Sequence, residues 1–139
     1  MVTYITRAQI GLRSARSGPG NLTVERVKGV ADHYPGTPKP INAVGAAGQA
    51  RVCSALRGWQ AFHMDGRGWN DIAYSFGYTN SGHVLAGRGL GVRSGAQGSN
   101  SGNQNYYAAV WVGGGTAQPT VKAYDALEWL ILHARNTGK

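Results

Sequence analysis

An uninterrupted β-prone run, YYAAVWV, occupies residues 106–112 and limits the folds open to this chain. A strand in a half-exposed sheet alternates apolar and polar residues, whereas an uninterrupted apolar strand needs cover on both faces. Helices usually provide that cover in sheets of this kind. The run therefore predicts a central strand that is covered on both sides.

Two other segments have helical periodicity and could cover the sheet. The first extends from about Gly45 to Met64, with an apolar stripe at Val52, Ala55, Leu56, Trp59 and Phe62. The second begins after Pro119, with Thr120 as a possible N-cap, and has an apolar side at Tyr124, Leu127, Leu130 and Ile131. Both segments predict amphipathic helices with one side facing the core.

The remaining segments predict further strands and loops. Residues 24–34 form a candidate buried strand, and residues 72–79 and 83–86 form a candidate hairpin. Residues 1–23 predict an extended arm over the domain, and residues 87–104 predict an irregular loop. We therefore expect an α/β fold with a mixed central β-sheet flanked by helices, in a single domain spanning residues 1–139.

The charge of the chain favours a polyanionic partner. A formal net charge of +8 and a pI near 10.1 are compatible with nucleic acid, an anionic membrane or a cell wall with acidic polymers. Nucleic acid is disfavoured because the basic residues are scattered and show neither a basic stripe interleaved with aromatics nor a zinc-finger spacing. A membrane span is not expected, because no stretch approaches the roughly 20 apolar residues that it requires.

The cysteine content and the first residues bear on the compartment. The single cysteine, Cys53, cannot form an internal disulfide, and its place in a predicted helix indicates a small buried residue. The opening MVTYITRAQI lacks the pattern of a secretory signal. We expect synthesis and initial residence in a cytoplasm.

One segment carries a specific resemblance to a known family. Residues 62–76, FHMDGRGWNDIAYSF, resemble the helix-to-strand signature of peptidoglycan recognition proteins and related phage amidases. Three further pieces occur in the family's order, namely ITRAQ at residues 5–9, His33-Tyr34, and GRG at residues 87–89. The region 100–112 is similar to the stretch that leads into the family's central strand. The chain thus resembles the type 2 N-acetylmuramoyl-L-alanine amidases over nearly its whole length.

The resemblance implies a reaction and two principal site residues. Family enzymes use zinc to hydrolyse the amide between muramic acid and the L-alanine of the peptidoglycan stem peptide, because the metal activates water and polarises the carbonyl. His33 matches the family's first zinc ligand. Tyr74 matches the tyrosine that stabilises the developing oxyanion. Outside the family context, His33 could be a structural histidine and Tyr74 a surface aromatic of a strand.

Four further residues are candidates for substrate binding in a peptidoglycan groove. They are Trp69, Asn70, Arg88 and Asn100. Aromatic faces stack on sugars, and Arg and Asn side chains bind hydroxyls and carboxylates. Trp69 could equally anchor its turn to the core. The GRGLG string at residues 87–91 precedes a loop and no helix, so a nucleotide-binding role is not predicted.

The other two zinc ligands expected from the family are not matched within these 139 residues. In the family they follow the final helix, in a Gly-His-Arg-Asp motif and a Cys-Pro-Gly motif. His63, His83 and His133 are poor substitutes by position. We therefore expect a domain truncated at its carboxyl end, with an incomplete zinc site and an open groove wall that favours self-association or lowers stability.

Two functional hypotheses remain open at this point. The first is an amidase domain of the phage endolysin type, which resides in the host cytoplasm and acts on the cell wall after release. The second is a module that recognises peptidoglycan fragments (muropeptides) without cutting them. Gln97 and Pro35 depart from the family pattern, which has a common His and a usual Thr at these positions, and the departures could alter substrate contacts.

Overall fold

Five strands form one mixed sheet in the computed structural model, which describes residues 2–16, 18 and 20–137. The strands are β1 (Thr3–Ile5), β2 (Gly29–His33), β3 (Phe76–Tyr78), β4 (His83–Ala86) and β5 (Tyr106–Trp111). Their spatial order is β1-β4-β3-β5-β2. The pair β3–β4 is antiparallel and the other neighbours are parallel. This sheet and its flanking helices confirm the predicted α/β class.

Four α-helices accompany the sheet in the described residues. They are α1 (Arg7–Ile10), α2 (Gly45–Ala61), α3 (Asn100–Asn105) and α4 (Val121–Thr137). A π-helical turn (Phe62–Gly66) continues α2, and a short 3₁₀ turn (Val24–Arg26) precedes β2. No helix in this described part combines the length and the apolar character that crossing a bilayer requires.

The strand β5 is covered on both faces, as its sequence predicts. Tyr107, Ala109 and Trp111 pack in the core cluster beneath α4. Val110 and Val112 pack in the second cluster, with residues of α2. Successive side chains of a strand point to opposite faces, so an apolar run of this length fills both cores.

The buried side of α4 differs from the predicted one. Its core residues are Ala123, Ala126, Leu130 and Ala134, each no more than 3% exposed. Tyr124 and Ile131 are 59% and 43% exposed, so their assignment to the core side was wrong. The sheet beneath carries large side chains, and small residues on the helix let its axis lie close to them. The predicted N-cap is confirmed, because Thr120 Oγ1 accepts a hydrogen bond from the Ala123 amide at 3.2 Å.

The amino-terminal arm contains regular structure that the sequence did not predict. Thr3–Ile5 pairs in parallel with β4, and α1 follows with a capping box between Thr6 and Gln9. Other boundaries also shifted: β2 starts at Gly29, β3 starts at Phe76, and α3 lies inside the predicted loop. Strand pairing depends on distant partners, so local sequence places such boundaries poorly.

A buried ionic cluster fastens the arm to the end of α2. The Asp71 carboxylate is only 3% exposed and accepts hydrogen bonds from Arg7 Nη1 at 2.8 Å and Gln60 Nε2 at 2.9 Å. The amide of Ile72 also donates to Asp71 Oδ1, at 2.8 Å. Gln60 in turn exchanges two hydrogen bonds with the backbone of Arg13. The cluster holds the arm, α2 and the segment that precedes β3 in one fixed arrangement.

Candidate functional site: a basic, aromatic cleft

The segment that carries Tyr74 is fixed to the central strand. Ser75 is fully buried, its amide donates to the Ala108 carbonyl at 2.8 Å, and its Oγ accepts from the Ala108 amide at 3.0 Å. These bonds continue the pairing of β3 with β5 by one residue. Tyr74 therefore projects from rigid backbone immediately before β3.

Gly87 allows a close backbone approach beside Tyr74. A Cβ at residue 87 would lie 2.2 Å from the Tyr74 carbonyl oxygen, which no side chain tolerates without backbone movement. The Arg88 amide donates to the same carbonyl at 2.9 Å. Glycine at this position therefore brings Arg88 next to Tyr74.

The π-helical turn brings the rings of His63 and Trp69 together. The Arg67 amide donates to the Phe62 carbonyl, five residues earlier, and the Trp69 amide donates to the His63 carbonyl. The two rings stack with centroids 5.1 Å apart, and the Arg67 guanidinium lies 5.2 Å from the Trp69 centroid. π-Helical turns in α-helices are frequent at functional sites.

These elements line a cleft of about 700 Å³ between the π-helical turn and the loop that precedes α3. Among the described residues its lining comprises Gly18, Phe62, His63, Arg67, Gly68, Trp69, Asn70, Ala73, Tyr74, Arg88, Arg93, Ser94, Gly95, Ala96, Gly98 and Asn103. Three of these side chains are arginines, and no carboxylate is among them. A cleft of this charge favours ligands that carry carboxylates or other anionic groups.

Tyr74 lies at the junction between this cleft and His33. The ring centroids of Tyr74 and His33 are 5.8 Å apart, and those of Tyr74 and His63 are 5.9 Å apart. Burial raises the pKa of Tyr74, so its hydroxyl stays protonated at neutral pH. That hydroxyl makes no hydrogen bond to any described residue and remains available as a donor.

The protonation of His63 is set by its hydrogen bond. Its Nδ1 accepts from the Ala73 amide at 3.0 Å, so the neutral ring carries its proton on Nε2. Burial lowers the pKa of His63 below its ordinary value of 6.5, and the charges of Arg67 and Arg88 lower it further, while Asp71 opposes the shift. His63 is therefore a neutral donor in the wall of the cleft at physiological pH.

This shift gives the native state a defined pH dependence. The folded His63 binds its proton less readily than the unfolded chain, so its contribution to stability is complete above pH 6.5 and is lost as the pH falls towards the folded pKa. We expect an NMR titration of the His63 ring to show a midpoint below 6.5, and Arg67→Gln to move that midpoint upwards. A native midpoint at or above the ordinary value would contradict this arrangement.

The cleft brings together four of the six residues proposed from the sequence. Tyr74, Trp69, Asn70 and Arg88 line it. The Arg88 guanidinium donates to the carbonyls of Ile72 and Arg93 at 2.6 and 2.9 Å, and burial lowers the pKa of Arg88. These contacts fix its orientation at the edge of the cleft.

The other two proposed residues lie beside this cleft and do not line it. His33 ends β2 next to Tyr74. Asn100 is exposed at the first turn of α3, where its side-chain Oδ1 accepts a hydrogen bond from Arg93 Nη2. The roles assigned to all six residues remain predictions.

Sequence reasoning missed His63, Arg67, Arg93 and Asn103 as lining residues. His63 and Arg67 belong to the signature segment, but His63 was considered only as a metal ligand and Arg67 was assigned no role. Arg93 Nε is buried without a hydrogen-bond partner in the described part of the chain. No local pattern marks Arg93 or Asn103, because folding brings the loop of Arg93 and the helix α3 of Asn103 to the π-helical turn.

The described residues do not fit a zinc site. Zinc in proteins takes three or four N, O or S ligands. Within residues 2–16, 18 and 20–137, no three His, Cys, Asp or Glu side chains are grouped so that they could hold a metal ion. His33 Nε2 faces the Gln97 carboxamide oxygen at 2.7 Å, and Cys53 is buried in α2. We therefore derive no reaction step through zinc.

The sequence is similar to known proteins over part of its length. No family model matches the sequence. The chain is 37% identical to peptidoglycan-recognition protein LB of Drosophila melanogaster over 68 residues, which are 44% of this chain and 29% of that protein. It is 49% identical to the N-acetylmuramoyl-L-alanine amidase of the pig, Sus scrofa, over 39 residues, which are 27% of this chain and 6% of that protein.

Solved structures share the fold of this chain over nearly its whole length. The wild-type Drosophila recognition protein LB superposes with a TM-score of 0.73 at 26% identity, covering 99% of this chain and 76% of that one. The Drosophila recognition protein LE in complex with tracheal cytotoxin, a monomeric diaminopimelic acid-type peptidoglycan, shares the fold with a TM-score of 0.81 at 24% identity, covering 98% and 75%.

The chain therefore resembles peptidoglycan recognition proteins in sequence and fold, and it resembles an N-acetylmuramoyl-L-alanine amidase over one segment of 39 residues. Its matched segments span less than a third of each of these two curated relatives.

Proposed function

We propose that this domain binds muropeptides in the cleft between the π-helical turn and the loop that precedes α3. The observation that carries the proposal is the lining itself, which combines three arginines with the Trp69 and Tyr74 rings and has no carboxylate among the described lining residues. A muropeptide presents sugar rings, peptide amides and free carboxylates. Aromatic rings, neutral donors and guanidinium groups are the matching partners. The complex of recognition protein LE with tracheal cytotoxin supports the choice of ligand.

Isothermal titration with tracheal cytotoxin tests the proposal. We expect saturable binding by the wild-type chain and a loss of about 10- to 100-fold in affinity for Arg67→Ala, the range for a charge-assisted hydrogen bond. Arg67 makes no ion pair in the described residues, so its removal should leave the fold intact. Arg51→Ala is the matched control, since it removes one exposed positive charge from α2, and Arg51 is not among the lining residues.

Two outcomes would contradict the proposed binding. The first is a wild-type chain that shows no saturable heat with tracheal cytotoxin. The second is an equal loss of affinity in Arg67→Ala and Arg51→Ala, which would indicate attraction by net charge without a defined site.

Hydrolysis of the muramoyl-alanine amide is the second candidate, favoured by the segment shared with the pig amidase. It requires zinc ligands besides His33 that the described residues do not bring together. Mass spectrometry of muropeptides incubated with the chain, with and without added zinc, separates the two candidates. Free stem peptide would indicate hydrolysis, and intact muropeptide would indicate recognition alone. The endolysin role and action at the cell wall after release remain predictions from the sequence.

A further inference from the structure

Gln97 holds the ring of His33 through a carboxamide whose own orientation is fixed. Gln97 Oε1 lies 2.7 Å from His33 Nε2. Gln97 Nε2 donates to Ser94 Oγ at 2.7 Å and to the Tyr106 carbonyl oxygen at 3.0 Å. A backbone carbonyl only accepts hydrogen bonds, so the nitrogen of the carboxamide must face Tyr106 and its oxygen must face His33.

This orientation determines the tautomer of His33. The amide oxygen of Gln97 can only accept, so His33 Nε2 must carry a proton, and the Nδ1 of the neutral ring is then an acceptor. Nδ1 makes no hydrogen bond to a described residue. Among the described residues, the buried side-chain N and O atoms that lack a hydrogen-bond partner are Thr37 Oγ1 and Arg93 Nε. His33 Nδ1 also lacks a partner but is not one of these buried atoms, so it is accessible to solvent.

The neighbouring Tyr74 complements this acceptor. Its ring lies 5.8 Å from that of His33, and its hydroxyl is a donor with no partner among the described residues. One acceptor and one donor on adjacent side chains match a peptide amide, which offers an N–H group and a carbonyl oxygen.

We propose that Gln97 is a positioning residue, which fixes His33 as the Nε2–H tautomer and directs its Nδ1 to accept a hydrogen bond from an amide N–H of a bound muropeptide. The hydrogen bond to a muropeptide rests on the proposed function, whereas the assignment of the Nε2–H tautomer does not. In this arrangement His33 binds through a hydrogen bond and needs no metal.

NMR of the ¹⁵N-labelled chain tests the tautomer without any ligand. At about pH 8, above the ordinary pKa of histidine, long-range ¹H–¹⁵N correlations distinguish protonated from unprotonated ring nitrogens. We expect a single Nε2–H form of His33 in the wild type and a mixture of tautomers in Gln97→Met, which keeps the side-chain length but removes both polar atoms. The matched control is Gln104→Met, because the Gln104 side chain forms no hydrogen bond among the described residues, and it should retain the wild-type pattern. An Nδ1–H form in the wild type, or an unchanged pattern in Gln97→Met, would overturn the proposal.

Binding of tracheal cytotoxin tests the ligand contact. We expect Gln97→Met to weaken binding about 3- to 10-fold, as for one neutral hydrogen bond, and Gln104→Met to bind as the wild type does. Equal affinities for Gln97→Met and the wild type would overturn the positioning role. A wild type that does not bind overturns the proposed function and the ligand part of this inference together, while the NMR result still decides the tautomer.

Discussion

Asp71→Ala is expected to lower the free energy of unfolding by about 3 to 5 kcal/mol, the range for removing one partner of a buried ion pair. The carboxylate accepts from Arg7, Gln60 and the Ile72 amide, and its side chain is only 4% exposed. Its removal leaves the Arg7 charge without its counter-ion and takes one of two acceptors from the buried Gln60 amide. Urea denaturation followed by tryptophan fluorescence measures the loss, which is a large part of the 5 to 15 kcal/mol that stabilises a typical domain.

Asp65→Ala is the matched control for this ionic cluster. Asp65 also pairs with arginines, Arg13 and Arg16, but all three side chains are largely exposed. Solvent-exposed pairs contribute little, so the denaturation midpoint of Asp65→Ala should stay close to that of the wild type. Similar losses for the two variants would show that the Asp71 cluster does not hold the arm and α2 together.

Leu130→Ala is expected to cost about 2 to 5 kcal/mol, because it opens a cavity beneath α4. Leu130 is completely buried among small alanines and is the largest side chain that this helix places in the core. The change can be measured by urea denaturation or by the shift of the thermal midpoint, with circular dichroism as the probe.

Leu132→Ala makes the same chemical change two residues further along the helix. Leu132 is 45% exposed, so we expect a loss of less than about 1 kcal/mol, as for most surface substitutions. A larger loss at Leu132 than at Leu130 would mean that α4 packs through a different side. Circular dichroism of both variants at low temperature checks that the helix itself is retained.

The two helices show how far periodicity predicts packing. In α2 the predicted residues Val52 and Leu56 are buried, whereas Phe62 of the same predicted stripe lies in the π-helical turn and is 56% exposed. In α4 periodicity alone favoured Tyr124 and Ile131, which the structure leaves exposed. Whether a helix packs through large or through small side chains depends on the residues of the opposing sheet. The sequence of the helix alone does not contain that information.

The candidate site was predictable where it lies within one continuous segment. Trp69, Asn70 and Tyr74 belong to the signature of residues 62–76, and all three line the cleft. The opposite wall, with Arg93 and Asn103, comes from residues 87–104, a segment without periodicity that contains most of α3. That wall forms through long-range contacts, so a local pattern could not identify it.

The stacking of His63 on Trp69 was likewise beyond local prediction. It depends on a π-helical turn in which the Arg67 amide reaches the carbonyl of Phe62, five residues back. Such turns have no dependable local sequence pattern. The proton position on His63 depends in addition on the Ala73 amide, ten residues away along the chain.

Chemical-shift mapping with tracheal cytotoxin tests the central claim most directly, because it reports both binding and its location. We predict saturable shifts that centre on the indole of Trp69, the ring of His63 and the amides of Tyr74 and Arg88, with little change along the exposed side of α4. Shifts that do not saturate, or that centre on α4 or on the arm, would contradict the assignment of the cleft as the muropeptide site.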